Sequence, residues 1–239
     1  MTLLHSARSA VRRLGLDVAR YPDECPDRQV ARLLSHHRVD VVLDVGAHTG
    51  HYASQLRVCG YRGRITSFEP VGELHRQLLR RAAGDPRWNT VRCALGDRPG
   101  TAVINVAGNA GASSSLLPML DLHTEASPGS AYVRTEEVGV ERLDALWPGL
   151  VAEGERAFLK LDVQGFERQV LDGAGERVAD CAGLQLEMSL VPLYDGGMLH
   201  REALDWAQER GFTLMHLLPG FTDGRTGRMY QCDAVLFRE

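Results

Sequence analysis

The stretch VDVVLDVGAHTG, residues 39–50, decides the fold class of this chain. Its first part, VDVVLDV, is a nearly continuous β-branched run without polar alternation, which is typical of a central parallel strand buried on both faces. That strand ends at the glycine turn GAHTG, and the following HYASQLRVCG has the pattern of a helix that Gly60 stops. A buried strand that leads through a glycine turn into a helix indicates an α/β protein with a parallel sheet.

The same alternation of strand and helix repeats along the chain. Further helices are predicted at residues 71–84, 165–174 and 199–211. Further strands are predicted at residues 63–70, 90–95, 156–163, 182–189, 212–218 and 232–239. Strand-helix-strand units of this size imply right-handed crossovers, so the sequence predicts a seven-stranded, mostly parallel sheet with helices on both faces and a final hairpin.

Two regions do not follow this alternation of strands and helices. Residues 1–37 are predicted to form an N-terminal helical cap, because apolar residues recur at helical spacing on either side of a segment with two prolines. The main domain is then expected to span residues 38–239. Within it, residues 101–140 contain two shorter predicted strands that flank a loop rich in serine and glycine. We expect this insertion to form a mobile lid beside the site.

The composition limits which binding partners and which cellular compartment are expected for this protein. The net charge of -4 and the pI near 6.1 lack the basic footprint that a nucleic-acid backbone would favour. The five cysteines are odd in number, scattered and free of any C-x-x-C pair, so neither a disulfide framework nor a zinc site is indicated and a cytoplasmic setting is expected. No segment approaches the ~18 uninterrupted apolar residues that a membrane span needs.

The carboxyl ends of the predicted strands locate the candidate ligand site, because ligands of open parallel sheets bind there. At the end of the first strand, two glycines allow a tight turn and a close approach to a ligand, and the next helix offers its amides and positive dipole to a carboxylate. The candidate residues of this turn are Asp44, Gly46, Ala47, His48, Thr49 and Gly50. Asp44 would repel a pyrophosphate but suits an ammonium group.

The second predicted strand ends at Glu69, which Pro70 follows. Glu69 comes about 20 residues after the glycine turn, where a carboxylate can accept both hydroxyls of a ribose. Taken singly, each of these residues could belong to an ordinary turn or a solvated strand end. Together they predict a site for a nucleoside that carries an amino-acid tail.

An ordered set of motifs carries a resemblance to a known family. The motifs are LDVGAHTG, SFEP, CALGD, SSSL, VERLDAL, FLKLDVQGFERQVLDGA, LQLEMS and CDAVLFR. Over roughly residues 39–238 they resemble the FkbM family of methyltransferases. The resemblance implies the cofactor S-adenosylmethionine, a Rossmann-like class I methyltransferase fold and O-methylation of a hydroxyl on a small molecule or glycan, such as a sugar of a natural product or glycolipid. The chain departs from the family pattern at His48, where asparagine is usual, and at Gln164, where glutamate is frequent.

The resemblance also suggests roles for the third strand end. Ala94 and Leu95 are expected to pack on the adenine ring, and Asp97 or a backbone amide to meet its polar edge. Asp97 is equally well explained as a turn residue before Arg98.

The fourth strand end should lie nearest the methyl group of the cofactor. Alternation places Lys160 and Asp162 on one face of the strand, where their charges can pair. Lys160 is the only lysine among 27 basic residues, which favours a need for a compact amine, although a structural ion pair explains it equally well. Glu187 ends the next strand and is expected to face Asp162 across the pocket. We expect Asp162 to be the base or the acceptor anchor, with Lys160 and Glu187 orienting it.

Several alternatives remain open from the sequence. Paired carboxylates could instead hold a divalent cation, but no dedicated aspartate-rich cluster is present. His48 and His51 could line one helix face, although capping or packing explains them more simply. Ser113, Ser114 and Ser115 have no obvious base partner in the sequence. Transfer to nitrogen, without an N-P-P-Y-type motif to support it, and a non-catalytic cofactor-binding module are the alternative functions.

Overall fold

The computed structural model describes residues 11–13 and 26–238. Its strands are β1 (Val41–Val45), β2 (Arg64–Phe68), β3 (Trp88–Val91), β4 (Ala94–Leu95), β5 (Gly100–Ala107), β6 (Tyr132–Glu141), β7 (Ala157–Leu161), β8 (Cys181–Ser189), β9 (Thr213–Pro219) and β10 (Gln231–Phe237). Seven of them form the main sheet in the order β3-β2-β1-β7-β8-β10-β9, with β10 antiparallel to both of its neighbours. The predicted seven-stranded, mostly parallel sheet is confirmed.

Helices cover both faces of this sheet. They are α1 (Pro26–His36), α2 (His51–Val58), α3 (Gly72–Ala82), α4 (Asp121–Ala126), α5 (Leu143–Leu150), α6 (Glu167–Ala174) and α7 (His200–Glu209). On one face Val42 packs with apolar residues of α1, α2 and α3, and on the other Leu43 packs with those of α5, α6 and α7. Because β1 is buried on both sides, its sequence shows no polar alternation.

A second, three-stranded sheet corrects one predicted strand. TVRCAL, residues 90–95, is predicted as a single strand, but β3 ends at Val91 and the chain enters β4 only at Ala94. The two residues of β4 leave the main sheet and pair in parallel with β6, while β5 pairs with β6 antiparallel. The two predicted strands of the insertion are therefore present as β5 and β6, and they flank a loop at residues 108–131 that contains α4.

The N-terminal region is described only in part. Helix α1 lies where the sequence predicts the second part of the helical cap. Residues 1–10 and 14–25, which carry most of the first predicted cap helix, lie outside the described residues. Among the helices of the described part, none has the length and apolar character needed to cross a membrane.

Candidate active site

A cavity of about 240 Å³ lies at the carboxyl ends of β1, β2 and β7. Seven of the residues predicted from the strand ends line it, namely Gly46, His48, Glu69, Pro70, Ala94, Leu95 and Asp162. Apolar side chains of Phe68, Ile104 and Leu116 complete much of its wall. The sheet therefore brings together residues that are up to 116 positions apart in the chain (46 to 162). We call this space the strand-end cavity.

The turn after β1 is held in place by backbone contacts. The amides of Gly46 and Ala47 both donate to the Phe68 carbonyl, at 3.1 and 3.0 Å. Gly46 has a φ of 76°, and a Cβ there would lie 1.8 Å from the Asp162 carbonyl oxygen. Only glycine allows β1 and the end of β7 to approach this closely.

His48 occupies a left-handed conformation, with a φ of 52°. Asparagine and histidine are both enriched among non-glycine residues in this region, which gives a conformational reason for histidine at a position where the family commonly has asparagine. Its backbone amide donates to Glu69 Oε2 at 2.9 Å, and its ring Nε2 lies 2.9 Å from the Ala110 carbonyl. His48 thus connects the turn both to the cavity carboxylate and to the loop that covers it.

Glu69 is only 5% exposed, and its carboxylate borders the cavity. Val71 N donates to Oε1 at 2.8 Å and His48 N donates to Oε2 at 2.9 Å. Burial raises the pKa of Glu69 to about 7, against the lowering effect of these two hydrogen bonds. Each oxygen retains a second acceptor position, which suits the two hydroxyls of a ribose.

Asp44 does not contact the cavity, which corrects the expectation that its side chain binds an ammonium group of a ligand. It is fully buried, accepts a hydrogen bond from Ser67 Oγ at 2.9 Å and lies 3.2 Å from Lys160 Nζ. Asp44 and Lys160 are register partners on adjacent strands, so the ammonium that Asp44 meets belongs to the protein itself. The charge of Asp44 is already compensated.

Four other predicted cofactor contacts do not line the strand-end cavity. Ala47 packs in the hydrophobic core, and Thr49 is half-buried in the turn. Gly50 has a φ of 82°, and a Cβ there would lie 2.7 Å from Leu78 and 2.9 Å from Trp88. Close packing against these side chains therefore explains the glycine at this position. Asp97 is half-buried, pairs with Arg98 at 3.6 Å, and its carbonyl accepts a hydrogen bond from Arg142. Of the two readings of Asp97, the structure favours the turn residue.

The predicted ion pair of Lys160 and Asp162 is confirmed, with Nζ 3.4 Å from Oδ2. Lys160 also donates to the Gly46 carbonyl at 3.2 Å. Burial alone would lower the pKa of Lys160, but the combined attraction of Asp162, Asp44 and Asp233, with the hydrogen bond to Asp44, outweighs burial and raises it. The amine therefore stays charged between its two carboxylates.

Gln164, absent from the predicted site residues, links the two predicted carboxylates. Its Nε2 donates to Asp162 Oδ1 at 2.8 Å and to Glu187 Oε2 at 2.7 Å. Glu187 is also the acceptor for Gln231 Nε2 at 2.8 Å. Glu187 thus lies near Asp162, but it does not line the cavity, so it does not face Asp162 across the cavity as the sequence led us to expect. The one sequence signal for Gln164 was its departure from the family pattern.

Asp233 completes what we call the carboxylate network, formed by Asp162, Gln164, Glu187 and Asp233. It is the register partner of Glu187 on the antiparallel strand β10. Burial, followed by repulsion from Asp162 and Asp233, raises the pKa of Glu187 well above its ordinary value. Burial and repulsion from Asp162 raise the pKa of Asp233 to about 7. Nothing in the short motif CDAVLFR singles out this aspartate.

The remaining sequence candidates divide between the cavity and its surroundings. His51 is exposed at the start of α2 and does not share the cavity with His48. Ser114 and Ser115 line the cavity, whereas Ser113 Oγ lies behind it, 3.4 Å from Nε2 of the buried His123. Burial lowers the pKa of His123 to about 4, so this imidazole is neutral at physiological pH. Over the described part of the chain, no group of three or more histidine, cysteine or acidic residues is arranged to hold a metal ion.

The sequence profile of the methyltransferase FkbM domain matches residues 44–214, more than half of the chain. The chain belongs to the FkbM methyltransferase family. Its cofactor is S-adenosylmethionine, and its fold is the Rossmann-like class I methyltransferase fold. The matched region includes the carboxyl end of β1 and the whole of β2 and β7, so the strand-end cavity lies within it.

Comparisons with other proteins add only distant similarities. No curated protein matches the chain in sequence. Fibrillarin from Aeropyrum pernix, solved with S-adenosyl-L-methionine, is 13% identical over 87% of this chain and 74% of its own, with a TM-score of 0.47. An rRNA methylase from Streptococcus thermophilus is 13% identical over 90% and 97%, with a TM-score of 0.47. The 1,6-didemethyltoxoflavin-N1-methyltransferase of Burkholderia thailandensis is 14% identical over 100% and 92%, with a TM-score of 0.45. Similarity at this level carries no argument about the acceptor.

The residues of the strand-end cavity fit this cofactor. Glu69 is a buried acceptor with positions free for ribose hydroxyls, and the small side chain of Ala94 with Leu95 forms an apolar wall suited to a flat ring. Gly46 exposes backbone at the first turn, on the side of the cavity nearest Asp162.

Proposed function

We propose that this FkbM methyltransferase transfers the methyl group of S-adenosylmethionine to a hydroxyl of a small molecule or glycan. One observation carries the proposal. Asp162 borders the cavity with 36% of its side chain exposed, and Lys160 and Gln164 hold its carboxylate in place. A fixed carboxylate that is still open to the cavity can accept the proton of an incoming hydroxyl.

In this proposal the two sides of the site have separate tasks. Glu69 accepts hydrogen bonds from the ribose hydroxyls, while Ala94 and Leu95 pack against the adenine. The bound cofactor supplies an electrophilic methyl group on a sulfonium. Asp162 orients the hydroxyl oxygen and takes its proton as the new bond forms, while Lys160, with Nζ 3.4 Å from Oδ2, holds the carboxylate in place.

A hydroxyl acceptor explains the carboxylate better than an amine does. An alcohol is a weak nucleophile until its proton is removed, so a base beside the cavity is useful. A neutral amine is already a good nucleophile and can attack the methyl group before it loses a proton. A phosphate-rich acceptor fits poorly, because the carboxylate network and a net charge of -4 would repel it. In the described part of the chain Cys93, Cys181 and Cys232 are free thiols, which suits the reducing cytoplasm that we propose as the compartment.

The test is to incubate the purified protein with ¹³C-methyl S-adenosylmethionine and a panel of sugar glycosides, polyols and amines. The ¹³C shift of the transferred methyl group distinguishes a methyl ether from a methylamine. Asp162→Asn should abolish most of the transfer, while Asp172→Asn, on the exposed surface of α6, should leave it unchanged. Methylation of amines alone would replace the proposal with N-methylation, and cofactor binding without S-adenosylhomocysteine formation would indicate a binding module.

A further inference from the structure

Two carboxylates of the site share a single neutral partner. Gln164 lies three residues after β7 ends at Leu161. It is 8% exposed and has a φ of 54°. Its Nε2 reaches Asp162 Oδ1 at 2.8 Å and Glu187 Oε2 at 2.7 Å. An amide nitrogen carries two protons, so both are used on carboxyl groups.

The orientation of this amide is set from its other end. Tyr194 is buried, and its hydroxyl donates to Gln164 Oε1 at 2.7 Å. Reversing the amide would place its oxygen against two carboxylates and its nitrogen against the tyrosine. The Gln164 backbone is fixed as well, since Ser115 Oγ donates to its carbonyl at 2.7 Å. Gln164 is therefore held at its main chain and at both atoms of its amide.

We propose that Gln164 is the positioning residue of this site. Oriented by Tyr194, its amide holds Asp162 and Glu187 together against the repulsion between two neighbouring carboxyl groups. The catalytic meaning of this arrangement rests on the proposed function, in which Asp162 accepts the hydroxyl proton. The bridge itself is measurable without any acceptor.

The pKa of Glu187 is the quantity that reports on this bridge, because charged groups surround its carboxyl group. It faces Asp162 after β7, Asp233 on β10 and Glu167 on α6, while the cation of Lys160 is bound to Asp162. Burial and these neighbouring carboxylates raise the pKa of Glu187, and the hydrogen bond from Gln164 opposes them. Removing the amide leaves the repulsion without its opposing donor.

The first experiment is a pH titration of the Glu187 carboxyl by ¹³C NMR, with the signal assigned by its loss in Glu187→Gln. In Gln164→Leu, which keeps the bulk but removes both donors, we expect the pKa of Glu187 to rise by about one unit. Gln164→Glu adds a third carboxyl group and should raise it further. Gln208→Leu and Gln208→Glu, at the exposed end of α7, are the matched controls and should leave the titration unchanged.

An unchanged Glu187 titration in folded Gln164→Leu overturns the proposal. If neither Gln164 variant folds, Tyr194→Phe removes only the orienting hydroxyl and should give a smaller rise in the same pKa. No rise in that variant would equally overturn the proposal.

The second experiment separates positioning from simple structural support. With a hydroxyl acceptor, Gln164→Leu should lower kcat by ~10-fold or more while the affinity for S-adenosylmethionine stays nearly constant. In the Asp162→Asn background, Gln164→Leu should lower kcat little further, because both substitutions act on the carboxyl group of residue 162. A shifted titration with normal kcat would reduce Gln164 to a structural bridge. If no hydroxyl is methylated at all, the proposed function fails, yet the shift in the Glu187 titration still reports the bridge.

Discussion

The cofactor side and the carboxylate side of the site are built from different kinds of contact. On the cofactor side, Glu69 is held by the backbone amides of His48 and Val71. On the carboxylate side, Asp162 is held by the side chains of Lys160 and Gln164, which have further side-chain partners of their own. A carboxylate fixed by backbone can be removed while its surroundings keep their conformation. A carboxylate within a side-chain network cannot be changed without altering the protonation of its neighbours.

This difference predicts which measurement responds to each substitution. Changes at Glu69 should appear in cofactor affinity, because its partners belong to turns that the fold already determines. Changes at Asp162 should appear in turnover and in pH dependence.

Asp162→Asn should lower turnover by ~10²- to 10⁴-fold, because asparagine keeps the shape of the side chain but not its basicity. Cofactor affinity should change far less, since Glu69 and the apolar wall are untouched. Parallel measurement of kcat and of S-adenosylmethionine binding by calorimetry checks both. A lower melting temperature with nearly normal activity per folded molecule would instead make Asp162 a structural partner of Lys160, and the catalytic assignment would move to Glu187 or a histidine.

Gly46→Ala should destabilise the fold by about 3 kcal/mol or more, because the new Cβ meets the Asp162 carbonyl and φ is 76°. Gly60→Ala is the matched control. Its φ is 98°, and a Cβ there meets nothing within 4 Å, so it reports the conformational cost alone. Urea unfolding of both variants measures the difference. Equal losses would show that the close approach of β1 to the end of β7 can relax.

The main sheet could be predicted from the sequence because its strands are buried runs between clear turn signals. The short strand β4 could not, since two residues carry no periodicity. Ala94 and Leu95 belong to the second sheet because β6 offers Val140 and Glu141 as partners, and these lie 46 positions away (94 to 140). A contact of that kind has no local signature in TVRCAL.

The residues of the site likewise divide into those that the sequence predicts and those that only the structure reveals. Glu69 and Gly46 were predictable because each ends a buried strand at a turn, and the sheet alone brings such ends together. Asp44 also ends a strand, but it faces Lys160 in the neighbouring strand, and only the register reveals that pairing. Gln164 and Tyr194 meet across 30 positions through side chains, so neither the pattern nor the strand ends could indicate the contact.

Glu69→Ala should weaken the binding of S-adenosylmethionine by ~1 to 3 kcal/mol if its buried acceptors bind the ribose hydroxyls. The pKa of Glu69, about 7, adds a dependence on pH. Ribose hydroxyls donate to the ionised carboxylate, so the cofactor favours that form. Affinity should therefore be highest above pH 7 and fall as pH drops through 7.

Calorimetry between about pH 5.5 and pH 8.5 checks this dependence. Glu69→Gln preserves the size of the side chain but does not titrate, so its affinity should be nearly independent of pH over the same interval. A wild-type affinity that is constant, or that rises as the pH falls, would contradict the role of Glu69 as an ionised acceptor.

The smallest effect is expected in the loop between β5 and β6, the region predicted to be a lid. Residues 111–116 contribute Gly111, Ala112, Ser114, Ser115 and Leu116 to the cavity wall, and Ser115 also fixes the Gln164 carbonyl. A ligand in the cavity should therefore slow the local opening of this segment. We expect S-adenosylhomocysteine to reduce amide hydrogen exchange there by up to ~10-fold, and an acceptor to extend the effect across residues 105–135.

Hydrogen exchange measured by mass spectrometry tests this, with the peptide at residues 223–228 as an internal control because it forms a turn around Asp223 that does not border the cavity. Slow exchange at residues 111–116 in the free protein, unchanged by ligand, would mean that the cavity wall is rigid. In that case Ser115 would hold Gln164 equally well with and without cofactor, and the carboxylate network would be fully assembled before binding. Ligand-dependent protection would instead couple the assembly of the base to the arrival of the cofactor.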